Sequence, residues 1–279
     1  SMFILLFVGF IFLILIRVPV SIAIGAAVLM TFLTSDFSDS LYIIPQQILE
    51  GVNKPSLAAV PFFIMAGNLM NVVGMTDRIF NFANSLVGHF KAGLAQVNVL
   101  SSMIFAGVSG AAVADCAGLG AIEIKAMKER GYKPEFAAAV TVCSAVVGPI
   151  IPPSIGLVIF AFLAQQSVER MFLAGMIPGI IIGLSLMLFN RLLAIKHNFP
   201  TQKKASSKEV ISSAWDGILA LVAPGIILGS ILGGFVTATE AGVLACVYSM
   251  MLGLFYKTLN FSNLWKALTD TMLMTSVIM

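Results

Sequence analysis

Long apolar runs separated by short polar loops extend through the whole chain, and this pattern predicts a series of transmembrane helices. The runs cover residues 3–16, 20–33, 56–75, 135–163, 171–195, 221–236 and 241–256. A helix rises about 1.5 Å per residue, so roughly 20 apolar residues are needed to cross a hydrocarbon core of about 30 Å. The first two runs are shorter than this, so we expect their helices to tilt or to extend further. Residues 41–49 predict a short interfacial segment, and residues 210–220 predict an amphipathic lead-in to the span that follows.

The overall composition agrees with this pattern. Of the 279 residues, 59% are hydrophobic and only 10% are charged, which is more apolar surface than a water-soluble core requires. We therefore predict an all-α polytopic protein embedded in the lipid bilayer. The net charge of +3 is small and the basic residues lie in short loops. These residues indicate membrane topology, and we expect no nucleic-acid partner.

One apolar stretch has basic loops on both sides. Residues 92–124 follow Lys91 and precede the basic segment 125–133. Cytoplasmic loops of membrane proteins carry an excess of Lys and Arg, so a single crossing would place one of these two loops on the wrong side. We predict instead a re-entrant hairpin over residues 92–124 that enters and leaves on the cytoplasmic side, with residues 107–110 at its tip. The same rule places the N-terminus and the acidic segment 36–39 outside.

The span at residues 135–163 contains a break. Gly148, Pro149 and the sequence IPPS at residues 151–154 interrupt its apolar pattern. Proline removes a backbone donor and clashes with the preceding turn, and three prolines exceed what a simple kink requires. Open backbone is tolerated in a bilayer only where protein or a water-filled cavity satisfies its polar groups. A broken helix beside a hairpin therefore indicates a binding site for an ion or a polar solute near the membrane midplane.

Oxygen atoms at the hairpin tip and at the break are candidate ligands of sodium, a hard cation that prefers oxygen. The predicted sodium-binding residues are Ser102, Gly107, Val108, Ser109, Gly110, Val147, Gly148 and Ile150. The N-terminus of the half-helix after the break can attract a carboxylate. The predicted substrate-binding residues are Ser109, Gly110, Pro152, Pro153 and Ser154. The alternatives are close helix packing by small residues at the tip and a mere kink at the break.

Two acidic residues lie inside the hairpin, and an acid within a membrane is a functional candidate by default. Asp115 could act as an ion relay or as a structural support for the tip, and both interpretations stay open. Glu123 could share one face with Asp115 if the second arm is a single helix. Its place beside the basic loop predicts that it forms an ion pair at the membrane boundary. Elsewhere, Thr239 and Ser262 are predicted helix caps, and Glu240 is a charge favoured at a helix N-terminus.

An enzymatic alternative treats the GVSG sequence at residues 107–110 as the nucleophile motif of an intramembrane serine hydrolase. Such chemistry needs a base within hydrogen-bond reach of Ser109. The two histidines, His89 and His197, lie in predicted loops. We therefore expect no catalytic residues and no enzymatic activity.

Four motifs, in this order along the chain, resemble the large membrane subunit of the tripartite ATP-independent periplasmic (TRAP) transporters. They are PFFIMAG at residues 61–67, GVSGAAVAD at 107–115, IPPSIG at 151–156, and PGIILG at 224–229 leading to TATEAG at 237–242. The resemblance covers nearly the whole chain. It implies an elevator-type, sodium-coupled importer with inverted repeats, which takes up organic acids such as dicarboxylates, sialic acids or other sugar acids.

The resemblance also implies partners and an organisation for the chain. A periplasmic binding protein would deliver the organic acid, and a small four-helix membrane subunit would brace the large one in the bacterial inner membrane. Residues 1–91 and 166–260 would form a scaffold around a transport region at residues 92–165. Residues 261–279 would begin a second-repeat segment without its own hairpin and broken helix, so the chain resembles a family member truncated at its C-terminus.

Overall fold

The computed structural model describes residues 2–34, 41–197, 199 and 204–279. Every regular element within these ranges is helical, which confirms the predicted all-α class. Backbone contacts divide the chain into two compact units, residues 1–54 and residues 55–279. The acidic segment 36–39, predicted at the outer face, lies outside the described residues.

The first unit contains the helices α1 (Met2–Leu15), α2 (Val20–Leu33) and α3 (Ile43–Val52). α1 and α2 pack against each other, and Pro19 directly precedes α2, where a missing N–H costs no intrahelical hydrogen bond. Most side chains of α1 are large, apolar and exposed, as expected for a helix that faces lipid. α3 covers most of residues 41–49, for which the sequence predicts a short interfacial segment.

The second unit holds the remaining helices. It contains a short 3₁₀ segment (Pro55–Ala58) and the helices α4 (Ala59–Val72), α5 (Met75–Val87), α6 (Gly93–Ser109), α7 (Ala112–Ala117), α8 (Leu119–Glu129), α9 (Pro134–Ala145), α10 (Ile155–Leu163), α11 (Val168–His197), α12 (Ser207–Leu232), α13 (Ala238–Phe255) and α14 (Phe261–Ile278). Among the described residues, three helices are long and apolar enough to cross a membrane, namely α11, α12 and α13. α4 and α5, bent by 73° relative to each other, add a fourth candidate when taken as one span. The polytopic class predicted from the apolar runs is therefore confirmed.

α4 lies at the centre of the second unit and packs against α13, α14, α6 and α10. Its buried apolar residues, among them Val60, Phe63 and Leu69, form the largest part of the core with residues of α13 and α10. Hydrogen bonds also join α4 to its neighbours. The Cys246 thiol of α13 donates to the Phe62 carbonyl at 3.1 Å, and the Asn68 amide donates to Thr271 Oγ1 of α14 at 3.0 Å. This central helix is the support against which α6 rests.

A cluster around Arg78 joins α5 to α12 and α13. The guanidinium pairs with the Asp216 carboxylate, donates to the Asp216 carbonyl at 3.1 Å, and lies 4.0 Å from the centre of the Tyr256 ring. Arginine suits this position because its planar group can donate hydrogen bonds and stack on an aromatic face at the same time. The cluster joins the start of α5 and the end of α13 to the middle of α12.

Three local expectations about the second half are wrong in detail. The predicted lead-in at residues 210–220 and the following span form one continuous helix, α12. The cap of α13 is Thr237, not Thr239, because Thr237 and Glu240 form a reciprocal capping box. The cap of α14 is Asn260, not Ser262, since its side chain accepts the Asn263 N–H at 2.7 Å. Glu240 does lie in the first turn of its helix, as predicted.

Candidate functional site

The chain doubles back directly after α6. α6 packs against both α7 and α8, so a helical hairpin is present in the predicted region. Its turn lies at Gly110 and Ala111, while Gly107, Val108 and Ser109 form the last turn of α6 instead of the tip itself. Gly110 has a φ angle of +60°, a left-handed conformation that glycine adopts without the steric penalty of other residues.

The hairpin turn lies against the break between α9 and α10. This break covers residues 146–154, where the prolines predict it. The Ile155 N–H donates to the Gly110 carbonyl at 3.3 Å. A Cβ atom added to Gly110 would lie 2.5 Å from the Pro153 carbonyl oxygen, so a glycine is needed for this close approach. The two features that the sequence marks separately therefore form one site.

The end of α6 supplies carbonyl oxygens to this site. Within the described part of the chain, no hydrogen bond is donated to the carbonyls of Gly107, Val108 or Ser109. These are the last carbonyls of a helix, which have no intrahelical partner, and the C-terminal end of a helix carries partial negative charge. Unpaired carbonyls at that end favour a cation.

Asp115 brings a carboxyl side chain to the end of α6. Its side chain is only 2% exposed. One carboxyl oxygen accepts a hydrogen bond from the Ser109 hydroxyl, and the other, Oδ2, has no hydrogen-bond partner among the residues that the structure describes. Oδ2 faces the break, because a Cβ atom added to Gly148 would lie 2.6 Å from it. Asp115 thus supports the hairpin turn through Ser109 and also presents its second carboxyl oxygen to Gly148.

The oxygen atoms gathered here fit sodium. Within the described ranges the one ion pair joins Arg78 to Asp216, so no basic side chain neutralises Asp115. A buried carboxylate without a cation is costly. No group of three His, Cys, Asp or Glu side chains gathers anywhere in the described residues, which distinguishes the site from those of zinc and other transition metals. Carbonyl and carboxylate oxygens suit a hard monovalent cation.

The other two predicted sodium ligands in the break, Val147 and Ile150, do not face Asp115. The Val147 carbonyl already accepts the N–H groups of Ile150 and Ile151 at 3.0 and 2.9 Å. The Ile150 carbonyl lies against α11, where a Cβ atom added to Gly175 would be 2.6 Å from it. Of the three predicted residues in the break, only Gly148 is brought against Asp115 of the hairpin.

The predicted substrate residues at the break are buried and partly occupied by structural bonds. Ser154 caps α10: its hydroxyl accepts the Leu157 N–H at 3.1 Å and donates to the Pro149 carbonyl at 2.5 Å. Pro152 and Pro153 are buried in the same turn. The break is thus held in shape by Ser154, and its hydroxyl is engaged with the backbone on both sides.

A cavity of about 520 Å³ lies beside the hairpin turn. Ser109, Gly110, Pro149 and Gly156 line it, together with apolar side chains of α4, α7 and α14. Gly156 is the second residue of α10, and its N–H donates no hydrogen bond to the described residues. Free N–H groups at a helix N-terminus favour an anion. Gly156 is not among the residues predicted to bind substrate, although its position directly after the break indicates the start of a half-helix.

Ser102 belongs to a separate row of polar side chains between α6 and α9. Its hydroxyl donates to Ser144 Oγ at 3.2 Å, Ser144 donates to Asn98 Oδ1 at 2.5 Å, and Asn98 donates to Thr141 Oγ1 at 2.7 Å. All four side chains are buried. Ser102 precedes Ser109 by two helical turns, or about 10 Å, so the hydroxyl that is predicted to bind sodium at the tip is hydrogen-bonded nearer the base of the hairpin.

Glu123 is 1% exposed, and neither of its carboxyl oxygens has a hydrogen-bond partner in the described part of the chain. The predicted boundary ion pair is therefore not formed. Nor does Glu123 share a continuous helix with Asp115, because the second arm is divided at Gly118, where a Cβ atom would lie 2.3 Å from the Asn71 side-chain nitrogen.

The geometry around Ser109 does not resemble a serine nucleophile. Its hydroxyl donates to Asp115. His89 precedes α6, and this helix of 17 residues separates it from Ser109 by about 25 Å. A general base would have to lie within direct hydrogen-bond reach.

A hairpin turn held against an unwound helix, with unpaired oxygens between them, is the arrangement by which secondary transporters bind ions and solutes within the membrane. The fold and the site therefore define a multi-spanning membrane permease. The family model described as "Tripartite ATP-independent periplasmic transporter, DctM component" matches residues 7–279. The chain belongs to this family, which confirms the predicted resemblance and the expectation of a transport component instead of an enzyme.

Individual relatives agree with the family. The chain is 40% identical over 252 residues to the sialic acid TRAP transporter large permease protein SiaM of Vibrio cholerae, covering 90% of this chain and 59% of that protein. It is 39% identical over 238 residues to the 2,3-diketo-L-gulonate TRAP transporter large permease protein YiaN of Escherichia coli, covering 85% and 56%. It is 36% identical over 242 residues to the C4-dicarboxylate TRAP transporter large permease protein DctM of Pseudomonas aeruginosa, covering 86% and 57%. The chain thus spans somewhat more than half the length of these relatives.

Proposed function

We propose that this chain forms part of the membrane permease of a sodium-coupled importer of organic acids. The observation that carries the proposal is the contact between the hairpin turn and the helix break. There, the Asp115 oxygen that has no partner among the described residues lies beside Gly148, and the unpaired carbonyls of Gly107, Val108 and Ser109 end α6 directly before the turn. In this proposal sodium binds among these oxygens and holds the turn against the break.

The substrate in this proposal is a carboxylate, which would enter the cavity beside the turn. Gly156 lines that cavity and offers an unpaired N–H at the start of α10, where the helix dipole favours negative charge. The apolar lining from α4, α7 and α14 would contact the carbon skeleton. Sialic acids, sugar acids related to 2,3-diketo-L-gulonate and C4-dicarboxylates are the candidate substrates, since the relatives are named for them.

Sodium and substrate would bind in that order. Neutralising Asp115 removes the charge that would repel an incoming carboxylate, so sodium binding would raise the affinity for the organic acid. A periplasmic binding protein would deliver the acid, and a small four-helix membrane subunit would brace the permease in the bacterial inner membrane. Residues 92–165 would move as the transport region against a scaffold of residues 1–91 and 166–260.

The proposal is tested by uptake into liposomes that contain the full-length permease with its small subunit and binding protein. We expect Gly148→Val to abolish sodium-dependent uptake, because its side chain would occupy the space of the Asp115 carboxylate. Gly229→Ala is the matched control, since an added Cβ at Gly229 meets nothing within 4 Å. The proposal would be refuted if the unmodified protein took up every candidate acid equally well with and without sodium.

A further inference from the structure

Another cavity, with polar residues in its lining, lies at the base of the hairpin, at the opposite end of α6 from the turn. Its volume is about 340 Å³, and it is lined by Phe90, Lys91, Gln96, Met187, Leu188 and Arg191. Lys91 and Arg191 are both exposed, and neither forms an ion pair with any residue that the structure describes. Two unpaired cations therefore border one cavity between α6 and α11.

Gln96 forms the buried wall of this cavity. Its side chain is 2% exposed, and its amide group donates to the Met187 carbonyl at 2.8 Å. Its Oε1 atom is buried and accepts no hydrogen bond from any described residue. The first turn of α6, which begins at Gly93, lies beside it and adds the partial positive charge of a helix N-terminus. The cavity thus attracts an anion and also offers an unsatisfied acceptor to a hydroxyl donor.

The cavity opens among apolar side chains that face the membrane. Phe90 is 45% exposed and Leu188 is 59% exposed. Arg191 lies near the end of α11, whose apolar window covers Val168–Ile195, so the cavity is at the level where the hydrocarbon core meets the headgroup region. Basic residues next to exposed apolar side chains at this depth match the two parts of a phospholipid.

We propose that this cavity binds the headgroup of an anionic phospholipid of the phosphatidylglycerol type. Lys91 and Arg191 contact the phosphodiester, a headgroup hydroxyl supplies the donor that Gln96 Oε1 lacks, and the acyl chains lie over Phe90 and Leu188. The lipid strengthens a junction that two hydrogen bonds already form, from Gln96 to Met187 and from Asn190 to the Ala95 carbonyl at 3.2 Å. It would hold the base of the hairpin to α11 while the turn at the other end remains free to open.

The experiment measures lipid binding to the purified full-length protein in detergent by native mass spectrometry. The probes are phosphatidylglycerol, phosphatidylethanolamine and inorganic phosphate. In the double variant Lys91→Gln/Arg191→Gln, we expect phosphatidylglycerol to bind about 30-fold more weakly, which is the change expected from two basic residues that contribute about 1 kcal/mol each to binding an anionic lipid. The double variant Lys91→Arg/Arg191→Lys keeps both charges and should retain binding. Its binding would show that the loss in the glutamine variant is due to charge and not to misfolding.

The matched control is Lys128→Gln/Arg130→Gln, which removes the same two charges from exposed positions outside the cavity. This control should bind phosphatidylglycerol as the unmodified protein does. Equal weakening in both double variants would overturn the proposal, because binding would then depend only on total charge. Equal binding of phosphatidylethanolamine, or inorganic phosphate that displaces phosphatidylglycerol at equal concentration, would also overturn it. The first result would show no selectivity for an anionic lipid, and the second would show a phosphate site.

Discussion

Replacing Gly110 by alanine should undock the hairpin turn from the helix break. The φ angle of +60° costs an alanine about 1 kcal/mol. The new Cβ would also lie 2.5 Å from the Pro153 carbonyl oxygen, a contact that only a shift of the backbone can relieve. That shift breaks the bond from the Ile155 N–H to the Gly110 carbonyl, a further loss of about 1 kcal/mol. The docked turn should therefore lose roughly 2–3 kcal/mol, which raises the undocked population about 30-fold or more.

Gly131→Ala separates backbone strain from undocking. Gly131 has a φ angle of +84°, and a Cβ atom added to it meets nothing within 4 Å, so this control carries the conformational cost without the contact. The assay is the rate at which Cys116, partly buried in α7 behind the turn, reacts with a polar thiol reagent in a Cys143→Ser/Cys246→Ser background. When opening is fast relative to labelling, the rate follows the open population.

Gly110→Ala should therefore increase Cys116 labelling about 30-fold, and Gly131→Ala should leave it within about twofold of the unmodified rate. Saturating sodium should slow labelling of the unmodified protein if the ion holds the turn in place. Equal labelling rates in the two alanine variants would refute the reasoning, because the close approach of Gly110 to Pro153 would then contribute nothing.

Three other predictions test separate parts of the argument. Asp115→Asn keeps a hydrogen-bond acceptor for Ser109 but removes the charge, so sodium should no longer raise the melting temperature of the purified protein; an undiminished sodium effect would exclude Asp115 from the site. Burial raises the pKa of Tyr132 to about 12, partly offset by a hydrogen bond to the backbone of Leu94. This tyrosine is therefore neutral in the folded protein, and its contribution to stability is complete below pH 10 and lost as pH rises from about 10 to 12; Tyr132→Phe should flatten that alkaline loss, measured by thermal unfolding in strong buffer. A reporter inserted between Lys125 and Lys133 should be cytoplasmic, and a periplasmic signal would show that the hairpin crosses the membrane.

The main features of the site could be predicted because their causes are local. Prolines at 149, 152 and 153 cannot continue a helix, so the break between α9 and α10 lies where the sequence indicates it. Basic residues on both sides of residues 92–124 indicated a chain that turns back, and α6 does pack against α7 and α8. The cap of α13 could also have been found, since Thr237 and Glu240 have the spacing of a capping box.

Other features depend on partners that are distant in the sequence. The pairing of Ser102 with Ser144 follows from the packing of α6 on α9, which apolar periodicity does not specify. The second arm is divided at Gly118, which lies directly against the Asn71 side chain of α4. This contact is not visible in the sequence, so the sequence does not predict the division. The orientation of Ile150 towards Gly175 depends on where α11 lies, and no signal near Ile150 reveals it.

The polar row between α6 and α9 indicates which part of the site can move. Breaking the bonds among Asn98, Thr141, Ser144 and Ser102 would leave buried groups unsatisfied, at about 1–3 kcal/mol for each group. The first arm of the hairpin and the first half of the broken helix should therefore move as one body. The turn itself is held by one backbone bond to α10 and by the bond from Ser109 to Asp115, and it borders the unpaired carbonyls. Sodium binding should accordingly reduce the opening of the turn and leave the α6–α9 interface unchanged. Only the turn is both weakly attached and next to the carbonyls that would bind the cation.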